Sequence, residues 1–147
     1  MKAKGKKIVF TNGCFDVLHA GHLYCLEMAK KQGDVLIVAI NSDGSVKRLK
    51  GRNRPIVPEK ERAYLISGFG CVDYCIIFRQ DTPAYVIKQL KPDVIVKGAD
   101  YKENEIVGSE TVKKYGGKVI RIPLIKNRST TQLIKKINRI YDGTENN

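Results

Sequence analysis

The sequence predicts an α/β fold: an open, parallel, five-stranded sheet with helices on both faces. Two observations predict it. Short runs rich in Val and Ile recur at residues 8–11, 35–40, 74–78, 94–96 and 119–122. They are nearly continuous in apolar residues rather than alternating, the pattern of strands buried on both faces. The intervals between them are long enough for the crossover helices that parallel pairing requires. At 147 residues the chain fits one domain. That domain is expected to span residues 1–147, with a polar, frayed tail over 142–147.

The elements follow in order. The first strand runs into Thr11-Asn12-Gly13-Cys14-Phe15-Asp16, then His19-Ala20-Gly21-His22. A helix over 23–31 stops at Gly33. After the second strand, Asn41-Ser42-Asp43 opens a stretch reaching Pro58 with no clear element. It holds Lys47, Arg48, Lys50, Arg52 and Arg54. A long loop of that content is expected to be functional and to become ordered on binding an anion. Pro58 with Glu59 and Glu61 begins a helix carrying Ala63, Leu65, Ile66 and Phe69. Thr82-Pro83 begins another, with Val86, Ile87 and Leu90 inward and Pro92 beyond its end. A helix over 104–115 is closed by Gly116-Gly117. Ser129-Thr130-Thr131-Gln132 has the spacing of a capping box. It leads into a last helix with Leu133, Ile134, Ile137, Ile140 and Tyr141 on one stripe.

Composition bounds the function. Lys and Arg total 27 against 15 Asp and Glu, a net charge of +12. Such a charge suits nucleic acid or a pocket for phosphorylated small molecules. The basic residues cluster at 2–7, 47–54 and 113–139 rather than along one helix. No RNP-type aromatic pattern accompanies them and there is no Trp. The small-molecule reading is therefore preferred, with no nucleic-acid partner. No apolar run approaches the ~18 residues of a membrane span. The apolar run behind the basic start is too short for a signal peptide. A cytoplasmic enzyme with no membrane association is expected. Cys14, Cys25, Cys71 and Cys75 form no Cys-x-x-Cys pair and are expected to be reduced thiols. They do not offer a zinc site.

Ligands of an open parallel sheet bind beyond the carboxyl ends of its strands. The two histidines fall there, where a strand gives way to a helix. At such a place backbone N–H groups and the helix dipole collect anions. A single histidine at a turn is more often a packed or capping group. Two of them three residues apart point to phosphate, and a zinc pair lacks a third histidine. Lys50, Arg52 and Arg54 read as phosphate ligands or as a solvated face. Ser129-Thr130-Thr131 can cap a helix and bind phosphate with the same N–H groups. Asp16 and Asp100 could equally be structural hydrogen-bond acceptors. No residue is assigned to a protein-bound metal.

Gly13-Cys14-Phe15-Asp16 with His19-Ala20-Gly21-His22, then Ser129-Thr130-Thr131, resembles the cytidylyltransferase-like nucleotidyltransferases. That likeness implies a Rossmann-like sheet of the His-x-Gly-His type. Within the family, several blocks resemble the heptose 1-phosphate adenylyltransferases of ADP-heptose synthesis. They are Lys47-Arg48-Leu49-Lys50-Gly51, Val72-Asp73, Asp81-Thr82-Pro83, Lys97-Gly98-Ala99-Asp100-Tyr101 and Ile106-Val107-Gly108-Ser109. The resemblance implies attack of a heptose 1-phosphate on the α-phosphorus of ATP. Pyrophosphate leaves, and the ADP-heptose feeds lipopolysaccharide core or related glycan synthesis. By position it gives His19, His22 and Lys50 to the phosphates and the transition state. It gives Asn12, Gly13, Cys14 and Phe15 to the nucleotide cleft, and Lys97, Gly98 and Asp100 to the base or ribose. Ser129, Thr130 and Thr131 would cap a helix and touch phosphate. Mg²⁺ would accompany ATP, bridging phosphate oxygens. The resemblance further implies a homodimer, and a stand-alone form without a fused sugar kinase domain. The alternatives are a glycerol 3-phosphate cytidylyltransferase-like enzyme, a non-catalytic basic nucleic-acid-binding module, and a nucleotide-binding regulator without activity. One departure stands out: Lys126-Asn127-Arg128 replaces the glycine-containing run common in the family.

Overall fold

A computed structural model describes residues 5–143. The Val/Ile runs become β1 (Ile8–Gly13), β2 (Val35–Asn41), β3 (Tyr74–Phe78), β4 (Val94–Gly98) and β5 (Lys118–Ile122). All pair in parallel, in the order β3-β2-β1-β4-β5. β1, β2 and β4 run one or two residues beyond their apolar stretches, into Asn12-Gly13, Asn41 and Lys97-Gly98. The backbone ladder continues where the apolar pattern stops: Gly13 lies opposite Ile40, and Gly98 opposite Ile122. The chain steps outward from β1 to β3, then returns to the other side of β1. The carboxyl ends of β1 and β4 therefore flank the switch point, where such sheets open a crevice.

Among the described residues six α-helices cover the sheet: α1 (Ala20–Lys30), α2 (Asp43–Lys50), α3 (Glu59–Ser67), α4 (Ala84–Leu90), α5 (Ser109–Lys114) and α6 (Thr130–Tyr141). The two faces have separate cores. Val9, Val38 and Val94 pack with Leu26 and Ala29 of α1 and Ile66 of α3. Phe10, Ile37 and Ile95 pack with Ile87 of α4 and Val112 of α5. Successive strand residues alternate between these layers. Asn12 and Lys97, two residues past Phe10 and Ile95, thus belong to the α4/α5 face.

Several expectations need correction. The stretch from Asn41 to Pro58 is not featureless, because its first half is α2. Ser42 caps it through its Oγ, which accepts the Ser45 N–H. Eight residues with only Val46 as a buried apolar side chain are too few to stand out as a helical stretch in the sequence. Lys47, Arg48 and Lys50 lie on this helix rather than in a loop. The helix expected over 104–115 is instead a 3-10 turn (Glu103–Glu105) followed by α5. Gly108, at φ 86°, separates them. A Cβ there would lie 2.7 Å from Ile87, so the chain crosses α4 only as glycine. In α3, Leu65 is outward and Arg62 is wholly buried. In α6, Leu133 and Ile134 are half-buried, but Ile137, Ile140 and Tyr141 are exposed. Only half of its capping box forms: Ser129 Oγ accepts the Gln132 N–H at 3.1 Å. Residues 2–4 of the basic start and 144–147 of the polar tail lie outside the described residues.

Candidate active site

The connection from β1 to α1 is strained and held. Phe15 and Val17 both have left-handed backbones, at φ 49° and 52°. For a β-branched residue this is a true outlier, costing on the order of 1–3 kcal/mol. Three side chains fix the turn, those of Asp16 and Arg62 buried and that of Thr130 half-buried. The Asp16 carboxylate accepts Arg54 Nε at 2.7 Å and the Ile56 and Val57 N–H groups at 2.8 and 2.9 Å. Burial pushes its pKa up, but the two N–H groups and Arg54 outweigh this and hold it below the usual range. Arg62 donates to the carbonyls of Cys14, Asn41 and Val57 and to Asp43 Oδ1. Thr130 Oγ1 donates to the Asp16 carbonyl at 2.9 Å.

The two histidines cap the helix they precede. His19 is the N-cap of α1, and its Nδ1 accepts the Gly21 N–H at 3.1 Å. His22 turns back, and its Nδ1 accepts the His19 N–H at 3.2 Å. Gly21 permits this, because a Cβ there would lie 2.9 Å from the His19 ring. Both Nδ1 atoms are acceptors, so each neutral ring carries its proton on Nε2. Neither Nε2 bonds to another group among the described residues. The ring centroids are 3.9 Å apart. Burial lowers the His22 pKa to about 4, and His19 beside it adds to the shift. Burial, then Arg128, lowers His19. At neutral pH both rings are uncharged, pre-aimed N–H donors.

A cleft of about 440 Å³ opens over the ends of β1 and β4. Of the predicted residues, Asn12, Gly13, Cys14, Phe15, His22, Lys50, Lys97, Thr130 and Thr131 line it. His19, Gly98, Asp100 and Ser129 do not. His19 is the less buried of the two rings and lies outside the cleft lining, and Ser129 is taken up in capping α6. The Asp100 carboxylate lies against Gly98, where a Cβ would meet it at 2.5 Å. Lys97 Nζ donates to the Asn12 carbonyl at 2.9 Å and sits 5.3 Å from the centre of the Tyr101 ring. Burial lowers its pKa to about 8, against the opposing pull of Cys14 and Asp100. Lys50 is exposed at the end of α2, with no hydrogen bond or ion pair among the described residues. Arg48 instead pairs with Asp81, on the surface.

Sequence reasoning missed Arg62, because Glu59-Lys60-Glu61-Arg62 reads as a solvated helical face. It also missed the wall made by Glu105, Ile106 and Val107 as part of the cleft. Asn127, in the run that departs from the family pattern, adopts φ 57°. Asn is among the residues that tolerate this left-handed conformation, so it can serve where glycine would. All four cysteines are free thiols. No helix among the described residues is long and apolar enough to cross a membrane.

Comparison with known proteins places this geometry. A profile described as cytidylyltransferase-like matches residues 10–142. The chain belongs to the cytidylyltransferase-like family. It is a nucleotidyltransferase with that family's Rossmann-like sheet. The bifunctional protein HldE of Geobacter metallireducens is 53% identical over 140 residues, which is 95% of this chain and 29% of that protein. HldE of Ectopseudomonas mendocina is 53% identical over 136 residues, 92% of this chain and 29% of that protein. The chain thus spans about three tenths of the length of these curated relatives. Among solved structures, a lipopolysaccharide core biosynthesis protein from Thermoplasma volcanium superposes with a TM-score of 0.68 at 33% identity. The match covers 84% of this chain and all of that one. Pantothenate synthetase from Thermus thermophilus, at 15% identity and a TM-score of 0.59 over 82% of this chain and 57% of that one, shares the fold alone.

Proposed function

We propose that this domain transfers AMP from ATP to a heptose 1-phosphate, forming ADP-heptose and pyrophosphate. The reading rests on three supports: the likeness of its motif blocks to the heptose adenylyltransferases, its relation to the bifunctional HldE proteins, and the likeness to a lipopolysaccharide core biosynthesis protein. The observation that carries the chemistry is the paired imidazoles, whose Nδ1 atoms are committed to backbone so that both Nε2–H groups are left to a ligand.

A phosphate oxygen of the sugar attacks the α-phosphorus of ATP. The bond from that phosphorus to the α,β-bridging oxygen breaks, and pyrophosphate leaves with the electron pair. The attacking phosphate is already ionised, so no general base is required. Neutral Nε2–H donors and the start of α1 meet charge as it builds on the leaving group. Gly13, Cys14 and Phe15 line the nucleotide side, and the start of α6 at Ser129, Thr130 and Thr131 supplies further N–H groups to phosphate. Lys50 reaches the triphosphate or the sugar phosphate. Gly98 and Asp100 lie behind the base or ribose, and Lys97 faces the cleft.

Mg²⁺ enters with ATP, as part of the substrate. The cleft carboxylates suit that route rather than a protein cage: Asp16 has both oxygens engaged, Asp81 is paired with Arg48, and Glu105 accepts the Lys102 N–H, with no cluster of three metal-ligating side chains among the described residues. The assembly is read as a homodimer in the cytoplasm, with residues 1–147 as one transferase domain. A pyrophosphate-release screen of nucleoside triphosphates against sugar 1-phosphates tests the proposal. ATP with heptose 1-phosphate should be the productive pair. Turnover of CTP with glycerol 3-phosphate in its place would refute it.

A further inference from the structure

We propose that Asn12 selects the acceptor, its side-chain amide binding a hydroxyl of the sugar phosphate. The inference rests on the adenylyl-transfer reading above. It begins from an unfilled group. Among the described residues, Asn12 Oδ1 is the one buried side-chain nitrogen or oxygen with no hydrogen-bond partner. Leaving such an acceptor empty costs about 1–3 kcal/mol, and folded proteins rarely do so without reason. Asn12 Nδ2 has no partner among the described residues either. The backbone of the same residue is held by its neighbours. It lies opposite Ala39 in the β1–β2 ladder, and its carbonyl accepts Lys97 Nζ. The chain therefore holds this residue firmly while leaving its amide idle on the floor of the cleft.

The place of that amide says which substrate it meets. In phosphoryl transfer the attacking and leaving oxygens stand roughly in line, on opposite sides of the phosphorus. The leaving pyrophosphate belongs with His22 and the start of α1, which packs on one face of the sheet. The attacking oxygen must then approach from the other face. Strand alternation puts Asn12 on that face, with α4 and α5. Thr82 and Pro83 at the start of α4, together with Tyr101, Ile106 and Val107, wall the cleft on that side. A sugar phosphate brings several neighbouring hydroxyls into this space. A half-turn of the terminal side-chain torsion exchanges Oδ1 and Nδ2 within the same shape. The carboxamide can thus turn either its donor or its acceptor to a hydroxyl of the sugar.

The test is pyrophosphate release by the wild type, Asn12→Ala and Asn12→Asp. The substrates are ATP, 2′-deoxy-ATP and 3′-deoxy-ATP, each with heptose 1-phosphate and its monodeoxy analogues. The wild type should disfavour at least one monodeoxy sugar ten- to a hundredfold in kcat/KM. Asn12→Ala should treat that sugar and its parent alike, with KM for ATP moved less than twofold. Asn12→Asp, nearly isosteric but without the N–H donor, carries the test if Asn12→Ala does not fold, and its ranking of the analogues should change. Unchanged sugar ranking in both variants overturns the inference. So does a loss of discrimination that falls on the deoxy-ATPs instead. Both results leave adenylyl transfer standing. No turnover of ATP with any sugar phosphate by the wild type overturns the functional reading and this inference together.

Discussion

On one side of the cleft, the β1–α1 turn has its polar groups bonded before any ligand arrives. Both Nδ1 atoms, both Asp16 oxygens and the Arg62 guanidinium are committed to the protein. On the other side, Lys50 ends α2 in solvent with no partner among the described residues. The difference separates two tasks. Fixed donors stabilise charge that develops during the reaction, without moving to meet it. A free lysine draws in an anion but loses up to about 2 kcal/mol of side-chain entropy when it is immobilised. The turn should therefore act on kcat, and the end of α2 on capture.

The largest effect should come from removing what holds the turn. Arg62→Leu leaves three carbonyls and Asp43 without their donor, and should lose about 3–5 kcal/mol in urea denaturation. A wild-type midpoint would mean that the turn is held by its other bonds alone.

Next come the imidazoles. His22→Ala and His19→Ala should each lower kcat by about 10²–10³, with little change in ATP affinity. His19→Asn restores an acceptor for the Gly21 N–H and so separates catalysis from capping. Near-normal turnover in either alanine variant would assign that ring to capping only.

The pH dependence of stability tests the same turn. Burial pushes the pKa of folded His22 down to about 4, below the ordinary imidazole value of about 6.5. Between these values the unfolded chain binds more protons, so stability rises with pH. Its contribution is complete above about 6.5 and is lost as pH falls through about 4. The melting temperature should therefore drop over that window, and His22→Gln should flatten the profile. An equally steep profile in the variant would place the loss elsewhere.

The smaller effects lie on the α2 side. Lys50→Ala should lower kcat/KM about ten- to a hundredfold, the range for a hydrogen bond from a charged donor. Arg48→Ala, two residues from the end of the same helix, breaks an exposed pair and should change stability by less than about 1 kcal/mol. Equal losses in activity from the two would reduce Lys50 to one charge among many.

The strands were legible because Val and Ile repeat where the sheet is covered on both sides. The histidine turn was legible because two imidazoles at a strand–helix junction have few other uses. Arg62 was not, since its neighbours are charged and only the tertiary fold turns it inward. α2 was hidden by its brevity and single buried apolar residue. The break at Gly108 depends on Ile87, distant in sequence, crossing close by. The empty amide of Asn12 could not be foreseen at all. Whether a polar atom has a partner is a property of the packed structure.

The capping bonds also explain the arithmetic of the motif. His19 occupies the N-cap and His22 the third helical position, the interval at which a side chain can reach back to the cap. The residue between that must lie under the first ring is glycine. Inserting one residue would part the two rings even if both remained. A protein designer wishing to transplant this pair would need His-x-Gly-His in register at a helix start and side chains to hold the turn before it, while the helix itself measures out the distance between the donors.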